Sequence, residues 1–186
     1  HTNLDNVVDG VNGEIAERLE LKALHVLDPK PDQLRKLSVF VPLAHAAALR
    51  DALFEAGAGK VGKYDECSFN TDGTGTFRAG AGTTPYVGKV GVQHSEPETR
   101  VEVIYTASQE RPILAAMRAA HPYEEVAYDM VPLLNSNQNI GSGMVGEWGQ
   151  GLAETEFLAL LKKTFKLTAL RHTELLGKPI RRVALC

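Results

Sequence analysis

The chain has little cysteine, almost no excess charge and no long apolar run, and each shortage excludes a class of protein. Its two cysteines, Cys67 and Cys186, match no metal-binding spacing, so we expect reduced thiols rather than a disulfide framework. A formal net charge of −3 provides no basic field for nucleic acid. The apolar runs are too short to cross a bilayer. We therefore expect a cytoplasmic protein without membrane or nucleic-acid partners.

The composition is otherwise that of an ordinary globular protein, with 44% hydrophobic and 23% charged residues. A length of 186 residues predicts one or two domains. The chain opens on His1, and its last residues, Arg182–Cys186, have the pattern of a buried strand. We interpret both ends as truncation points and expect an internal fragment of a longer protein.

Residues 1–33 are predicted to begin an α/β domain. Apolar residues recur every four positions within residues 6–19, which predicts a helix, and Leu24–Leu27 is a strand candidate. The next five residues, Asp28–Asp32, contain two prolines and three charges, and we place a domain boundary there.

Residues 34–132 show a strand and helix pattern that occurs twice. In each half an apolar strand leads into an amphipathic helix whose first turn contains a proline, Pro42 or Pro112. Thr71–Thr74 is predicted to be a hairpin turn between two short strands, and Val126–Met130 is the predicted closing strand. Two such halves around an antiparallel sheet predict a ferredoxin-like α+β domain.

Residues 133–186 are predicted to continue the first domain. They contain a predicted helix over residues 155–166 and a predicted pair of strands around residues 169–185. A G-x-G-x-x-G string lacks a clear strand before it and an immediate helix after it, so we reject a dinucleotide site and predict a glycine-rich turn. The glycines of this string are Gly141, Gly143 and Gly146.

His1 and Asp5 form the first candidate functional site. An imidazole and a carboxylate four residues apart can converge on one ion, and this donor pair suits zinc, manganese or iron. Asn3 and Asn6 are placed to orient the pair. The same spacing also fits a helix N-cap at Asp5, and on spacing alone that structural interpretation is favoured.

His121–Glu125 forms the second candidate, directly after a predicted helix. With Glu66 and His94 it would make a second metal or ligand site. The favoured alternative is structural: a polar helix stop, tightened by Pro122, with Tyr123 packed beneath it.

Taken together, the runs His1-Thr2-Asn3-Leu4-Asp5 and His121-Pro122-Tyr123-Glu124-Glu125 resemble the NIF-three-like family, also called GTP cyclohydrolase I type II homologues. Tyr64–Phe69 and the glycines before Trp148 resemble the same family, so the likeness covers essentially the whole chain. The resemblance implies an α/β domain interrupted by a ferredoxin-like insert that is similar to the PII and CutA proteins.

The resemblance also implies a dinuclear metal centre. Asp5 is then a metal ligand, and His1 is a ligand or supports one. The two divalent ions would be zinc, manganese or iron. The family's other ligands lie upstream of the HTNLD run and close to the C-terminus, outside this sequence.

The implied activity is metal-dependent hydrolysis in a hexamer, with GTP or another small molecule as substrate. Two other interpretations stay open. One is a non-catalytic, metal-binding regulatory or scaffold protein with a PII-like sensing insert. The other is an assembly element, in which the insert caps the cavity of a ring.

Overall fold

The computed structural model describes residues 6–186, which form two compact units, each built on its own antiparallel sheet. Of the described residues, 6–31 and Ser136–Cys186 form the first unit, and Asp32–Asn135 form the second. No helix within the described residues has the length and apolar character needed to cross a membrane. The prediction of mixed helices and strands is confirmed, and so is the antiparallel sheet predicted within residues 34–132.

The described residues contain four α-helices and seven strands. In chain order these are α1 (Val11–Arg18), β1 (Lys22–Pro29), β2 (Leu34–Pro42), α2 (Ala46–Glu55), β3 (Ser68–Arg78), β4 (Gln93–Thr106), α3 (Glu110–Ala120), β5 (Tyr128–Leu133), β6 (Gly141–Leu152), α4 (Glu154–Thr164) and β7 (Ile180–Leu185). Short 3-10 turns at Leu43–His45 and Ala107–Gln109 lead into α2 and α3.

The first unit has a three-stranded sheet in the order β1-β6-β7, with β6 antiparallel to both neighbours. The indole N–H of Trp148 on β6 donates to the carbonyl of Leu19 at 3.0 Å, which ties the end of α1 to the central strand. Partly buried residues of α4 pack against the same core. The buried core residues of this unit are Ala16, Leu19, Leu21, Met144 and Val183.

The second unit has the element order β-α-β-β-α-β, and its sheet has the order β3-β4-β2-β5 with every neighbour antiparallel. Alternate residues of β2 and β4 share one buried cluster with residues of both helices, so α2 and α3 cover the same face of this sheet. The largest fully buried side chains in the cluster are Leu37, Leu49, Leu53, Ile113 and Met117.

The predicted hairpin turn at Thr71–Thr74 is wrong. The strand β3 continues through it and pairs with β4 residue by residue, from Ser68 opposite Val103 to Arg78 opposite Gln93. The connection between these strands is residues 79–92. A long ladder of backbone hydrogen bonds and the β-branched threonines of this segment outweigh the local turn preference of the Asp-Gly pair.

The predicted glycine-rich turn at residues 141–146 is also wrong, because these residues begin the central strand β6. The glycines lie where neighbouring chain approaches closely. A Cβ on Gly146 would lie 2.7 Å from the Cβ of Leu21, and a Cβ on Gly143 would lie 2.6 Å from the carbonyl oxygen of Leu185. The glycines of this string therefore serve close packing of the sheet.

The strand pair predicted around residues 169–185 is half right, since β7 is the one regular element there. The segment before β7 is held by hydrogen bonds to a side chain and not by the backbone hydrogen bonds of a strand pair. The Glu154 carboxylate accepts hydrogen bonds from the backbone N–H groups of Leu176 at 3.0 Å and Gly177 at 2.7 Å. These bonds, led by the one from Leu176, lower the pKa of Glu154.

Candidate functional site

The candidate metal residues His1 and Asp5 lie outside the described residues, and the chain immediately after them is anchored to β6. The Oδ1 atom of Asn6 accepts a hydrogen bond from the Ser142 hydroxyl at 3.0 Å, and its backbone carbonyl accepts the N–H of Gly141 at 3.0 Å. The N–H of Val8 donates to the carbonyl of Asn139 at 3.3 Å. The residue after Asp5 is thus held at the beginning of the central strand.

The second candidate metal site, at His121–Glu125 with Glu66 and His94, is not assembled, in agreement with the structural interpretation favoured for it. Within residues 6–186, no three His, Cys, Asp or Glu side chains come close enough together to hold a metal ion. His94, one of the proposed donors, instead has its Nε2 atom 2.8 Å from Oε2 of Glu96. Glu66 has a left-handed backbone conformation in the loop before β3, with φ of +53°.

His121 has a structural role, because both of its ring nitrogens are used inside the second unit. Its Nε2–H donates to the carbonyl of Phe40 at 2.9 Å, and Nδ1 accepts the backbone N–H of Tyr123 at 3.1 Å. The lone pair that a metal would need is therefore already bound to a donor. Burial lowers the pKa of His121, although the bond to Phe40 and the charge of Glu98 oppose this shift.

The partly buried Tyr123 is paired with the buried carboxylate of Glu98 on β4. The Tyr123 hydroxyl donates to Oε1 of Glu98 at 3.0 Å, and Glu98 is 9% exposed. Burial raises the pKa of Tyr123, and the hydrogen bond to Glu98 and the charges of Glu98 and Glu96 raise it further. The surroundings of this hydroxyl are therefore negatively charged and poorly hydrated.

The loop of residues 79–92 is held against this pair from the other side. The Tyr86 hydroxyl lies 3.0 Å from Nε2 of His45, and its ring centroid is 6.1 Å from that of Tyr123. The N–H of Thr84 donates to the Glu124 carboxylate at 3.0 Å. The loop is thus bonded to residues that come before β3 and after α3.

Tyr86, Glu98, Tyr123 and Glu124 are among the residues that line a cavity of about 730 Å³ within the second unit. This volume is in the range of small-molecule sites. Its lining comes from β3, from β2 and β4, from the loop after β3 and from the HPYEE run. The lining includes the side chains of Phe40, Tyr86, Glu98, Arg100, Tyr123, Glu124 and Glu125, together with the backbone at Gly73 and Gly75.

Sequence reasoning singled out Tyr123 and Glu124 through the HPYEE run but missed the rest of the cavity. Glu98, Gly73 and Tyr86 come from three separate segments and share no motif. The one available signal was the presence of two glycines, Gly73 and Gly75, inside a threonine-rich segment. Glycine within a strand often marks close approach of a ligand or of another chain segment.

Comparison with known proteins gives one consistent family. All residues from 1 to 186 match the family model described as Duf34/NIF3 (NGG1p interacting factor 3). Over 185 residues the chain is 43% identical to a protein of Halalkalibacterium halodurans and 37% identical to one of Bacillus subtilis, each named GTP cyclohydrolase 1 type 2 homolog. Both alignments cover 99% of this chain and 50% of the relative.

A solved structure of a Bacillus cereus protein related to NIF3 is similar throughout, with 38% identity and a TM-score of 0.84. That alignment covers 99% of this chain and 49% of the Bacillus cereus chain. The chain therefore spans about half the length of the relatives that it matches.

Proposed function

Because the chain belongs to the Duf34/NIF3 family, we propose that it is part of a metal-dependent hydrolase of the class named GTP cyclohydrolase 1 type 2 homolog. In this proposal Asp5 is a ligand of a two-metal centre, and His1 is a second ligand or supports one. The metal would be zinc, manganese or iron, which imidazole and carboxylate donors suit. The proposed substrate is GTP or another small molecule, and the proposed assembly is a hexamer.

The observation that best supports this proposal is the anchoring of the chain next to Asp5. A metal ligand must be held within a narrow range of positions, and secondary-structure elements do this better than loops. Asn6 is hydrogen-bonded to both Gly141 and Ser142 at the start of β6. Asp5 therefore adjoins a residue with a defined position in the first sheet.

Two donors are fewer than a divalent ion requires, and residues 6–186 contain no metal-binding group of three. The relatives are about twice as long as the aligned region, so a protein of their length has further residues to complete the site. When bound, such a metal pair lowers the pKa of a coordinated water and stabilises developing negative charge. His1 and Asp5 would hold and orient the ions.

We further propose that the second unit is a ferredoxin-like domain inserted into the α/β domain. Its β-α-β-β-α-β order and its strand order support this assignment. A non-catalytic regulatory or scaffold protein is the second candidate function. The cavity favours it, because a small-molecule site in a unit without a metal-binding group fits sensing better than hydrolysis.

The test uses the full-length protein, freed of metal and reloaded separately with zinc, manganese or iron. We expect GTP turnover that requires metal and that falls by at least about tenfold in Asp5→Asn. Asp9→Asn serves as the matched control on the same segment. Stoichiometric metal without turnover of GTP or of other nucleotides and phosphoesters would favour the regulatory function instead.

A further inference from the structure

The cavity of the second unit lies on the sheet face that the helices do not cover. Val39, Val41 and Val101 are fully buried in the core beneath the helices. Successive side chains of a strand point to opposite faces, so Phe40 and Arg100 point to the other face. These two residues lie opposite one another in the β2–β4 ladder.

Two glycines of β3 make room for this cavity. A Cβ on Gly75 would overlap the carboxylate of Glu98, so the missing side chain leaves space for that group. A Cβ on Gly73 would meet no atom within 4 Å, and Gly73 does not have a positive φ. Gly73 therefore leaves a space that a side chain could fill without backbone strain.

The charge at the centre of the cavity is negative. Glu98 is nine-tenths buried, and its hydrogen bond in the described structure comes from the neutral phenol of Tyr123. A buried carboxylate is stabilised far better by a cation than by a neutral donor. Glu98 thus provides an anionic group that a cation entering the cavity would neutralise.

The other charged side chains that line the cavity also favour a cationic ligand. On this face the lining also contains Glu124 and Glu125 against the guanidinium group of Arg100, and these three side chains are all exposed. Asp72 points to the other face of β3, where it accepts a hydrogen bond from the Thr99 hydroxyl at 2.8 Å. Arg100 already lies 3.9 Å from Glu102, on the same face of β4.

Aromatic rings line the part of the cavity next to the buried carboxylate. Tyr86 and Tyr123 have ring centroids 6.1 Å apart at a tilt of 48°, and Phe40 lies on the sheet surface. Tyrosine and phenylalanine faces attract cations and also pack against apolar groups. The two properties together suit a ligand that has one cationic end and an apolar body.

We propose that this cavity binds a small organic cation, an ammonium or guanidinium group on an apolar body. The cationic end pairs with Glu98, and the body packs against Phe40, Tyr86 and Tyr123. The site is independent of the metal centre proposed at Asp5, since all of its residues belong to the second unit.

The test is calorimetric titration of the 186-residue chain with three probes that share a phenethyl body: phenethylammonium, phenethyl alcohol and hydrocinnamate. We expect saturable binding of phenethylammonium with a Kd of about 1 mM or tighter, and at least about tenfold weaker binding of the alcohol and the anion. Glu98→Gln should weaken ammonium binding about tenfold while its amide oxygen still accepts the Tyr123 hydroxyl.

The cavity-filling variant Gly73→Val should remove ammonium binding, and Gly149→Val is the matched control. Both glycines lie in strands, have no positive φ and have open space around a new Cβ, but Gly149 belongs to the first unit. Circular dichroism should show that all variants are folded, and Gly73→Ala replaces Gly73→Val if the latter is not.

Several results would overturn the proposal. These are equal affinity for the ammonium and the alcohol, tighter binding of hydrocinnamate, no saturable ammonium binding, or unchanged binding in Glu98→Gln or in the cavity-filling variant. Dissociation of an oligomer caused by Gly73→Val would also overturn it, because a second copy of the chain would then be the occupant.

Discussion

At the scale of single residues, His121 joins three parts of the second unit through one neutral ring. It connects the end of α3, the carbonyl of Phe40 on β2 and the N–H of Tyr123. Protonation would place a hydrogen on Nδ1, which faces the N–H of Tyr123, so the charged ring cannot keep both bonds. The position of Tyr123 in the cavity therefore depends on an uncharged His121.

This arrangement predicts that acid destabilises the second unit. The folded pKa of His121 is lowered from 6.5, so the unfolded chain binds the proton first as the pH falls. Its contribution to stability is complete above the unfolded pKa and is lost as the pH falls through the lowered folded value. We expect the denaturant concentration at the unfolding midpoint to decrease as the pH is lowered from about 7.5 to about 5. Far-ultraviolet circular dichroism measures this midpoint.

His121→Gln is the variant that isolates this effect. It should lower the free energy of unfolding at neutral pH by about 1–3 kcal/mol, because a buried hydrogen-bonding partner is lost. It should also flatten the acid dependence. Parallel pH profiles for the wild type and the variant would show that other groups cause the acid sensitivity.

At the scale of elements, β6 depends on glycine where the chain on either side approaches it. Gly146 illustrates this best, because a Cβ there would lie 2.7 Å from Cβ of Leu21 and 2.7 Å from Cδ2 of Leu24. Leu21 belongs to the buried core of the first unit. The exposed Leu24 side chain can move away from an added methyl group, but Cβ of the buried Leu21 moves only with its backbone.

We therefore expect Gly146→Ala to destabilise the first unit by about 1–3 kcal/mol, the usual penalty for overpacking a core. Gly149→Ala, in the same strand and without a neighbour within 4 Å, should change stability by less than about 0.5 kcal/mol. The chain has one tryptophan, Trp148, which packs on Phe157 in the first unit, so its fluorescence reports that unit. Equal midpoints for the two variants would contradict the close-packing explanation.

The difference between local sequence patterns and contacts with distant parts of the chain explains which elements could be predicted from the sequence. The helix predicted over residues 155–166, with Phe157, Leu158, Leu161 and Phe165 expected to face inward, is observed as Glu154–Thr164. Phe157, Leu161 and Phe165 do pack on the core, but Leu160 packs there in place of Leu158. The helical spacing of Ile113, Met117 and Ala120 predicts that they share one face of α3, and Ile113 and Met117 are fully buried. Helical periodicity is a local pattern, and a stretch of about a dozen residues is enough to show it.

The errors arise where a residue's role depends on a distant part of the chain. Gly75 accommodates Glu98, and Gly146 accommodates Leu21. Read locally, Gly146 indicates a turn and Gly75 only the start of a short strand, because nothing nearby in sequence shows the neighbour that each glycine accommodates. The cavity was missed for the same reason, since its central residues Gly73 and Glu98 meet only through the pairing of β3 with β4.

At the scale of the whole molecule, the two points at which the chain leaves and re-enters each unit lie next to one another within that unit. In the second unit Leu34 and Leu133 lie opposite one another on neighbouring strands. In the first unit Pro29 lies opposite Gly141, and the N–H of Lys30 donates to the carbonyl of Ile140 at 3.0 Å. Each pair of ends is therefore close enough for a short bridge.

We expect residues 32–135, expressed alone, to unfold in one cooperative thermal transition. A segment of this size with its own helix-covered sheet can bury an adequate core. Circular dichroism at several heating rates is the measurement. Leu53→Ala is the companion variant, and it should lower stability by about 2–5 kcal/mol because Leu53 is fully buried. A broad melt that Leu53→Ala leaves unchanged would show that the segment does not fold alone.

We propose that the protein binds metal through the HTNLD segment and not through the second unit. Elemental analysis of full-length protein tests it most directly, with four samples: wild type, Asp5→Ala, the control Asp9→Ala, and a deletion of residues 32–135 closed by a short Gly/Ser bridge. We predict that Asp5→Ala loses at least one of two bound ions, whereas Asp9→Ala and the deletion keep both. Unchanged metal content in Asp5→Ala, or loss of metal in the deletion variant, would contradict the account.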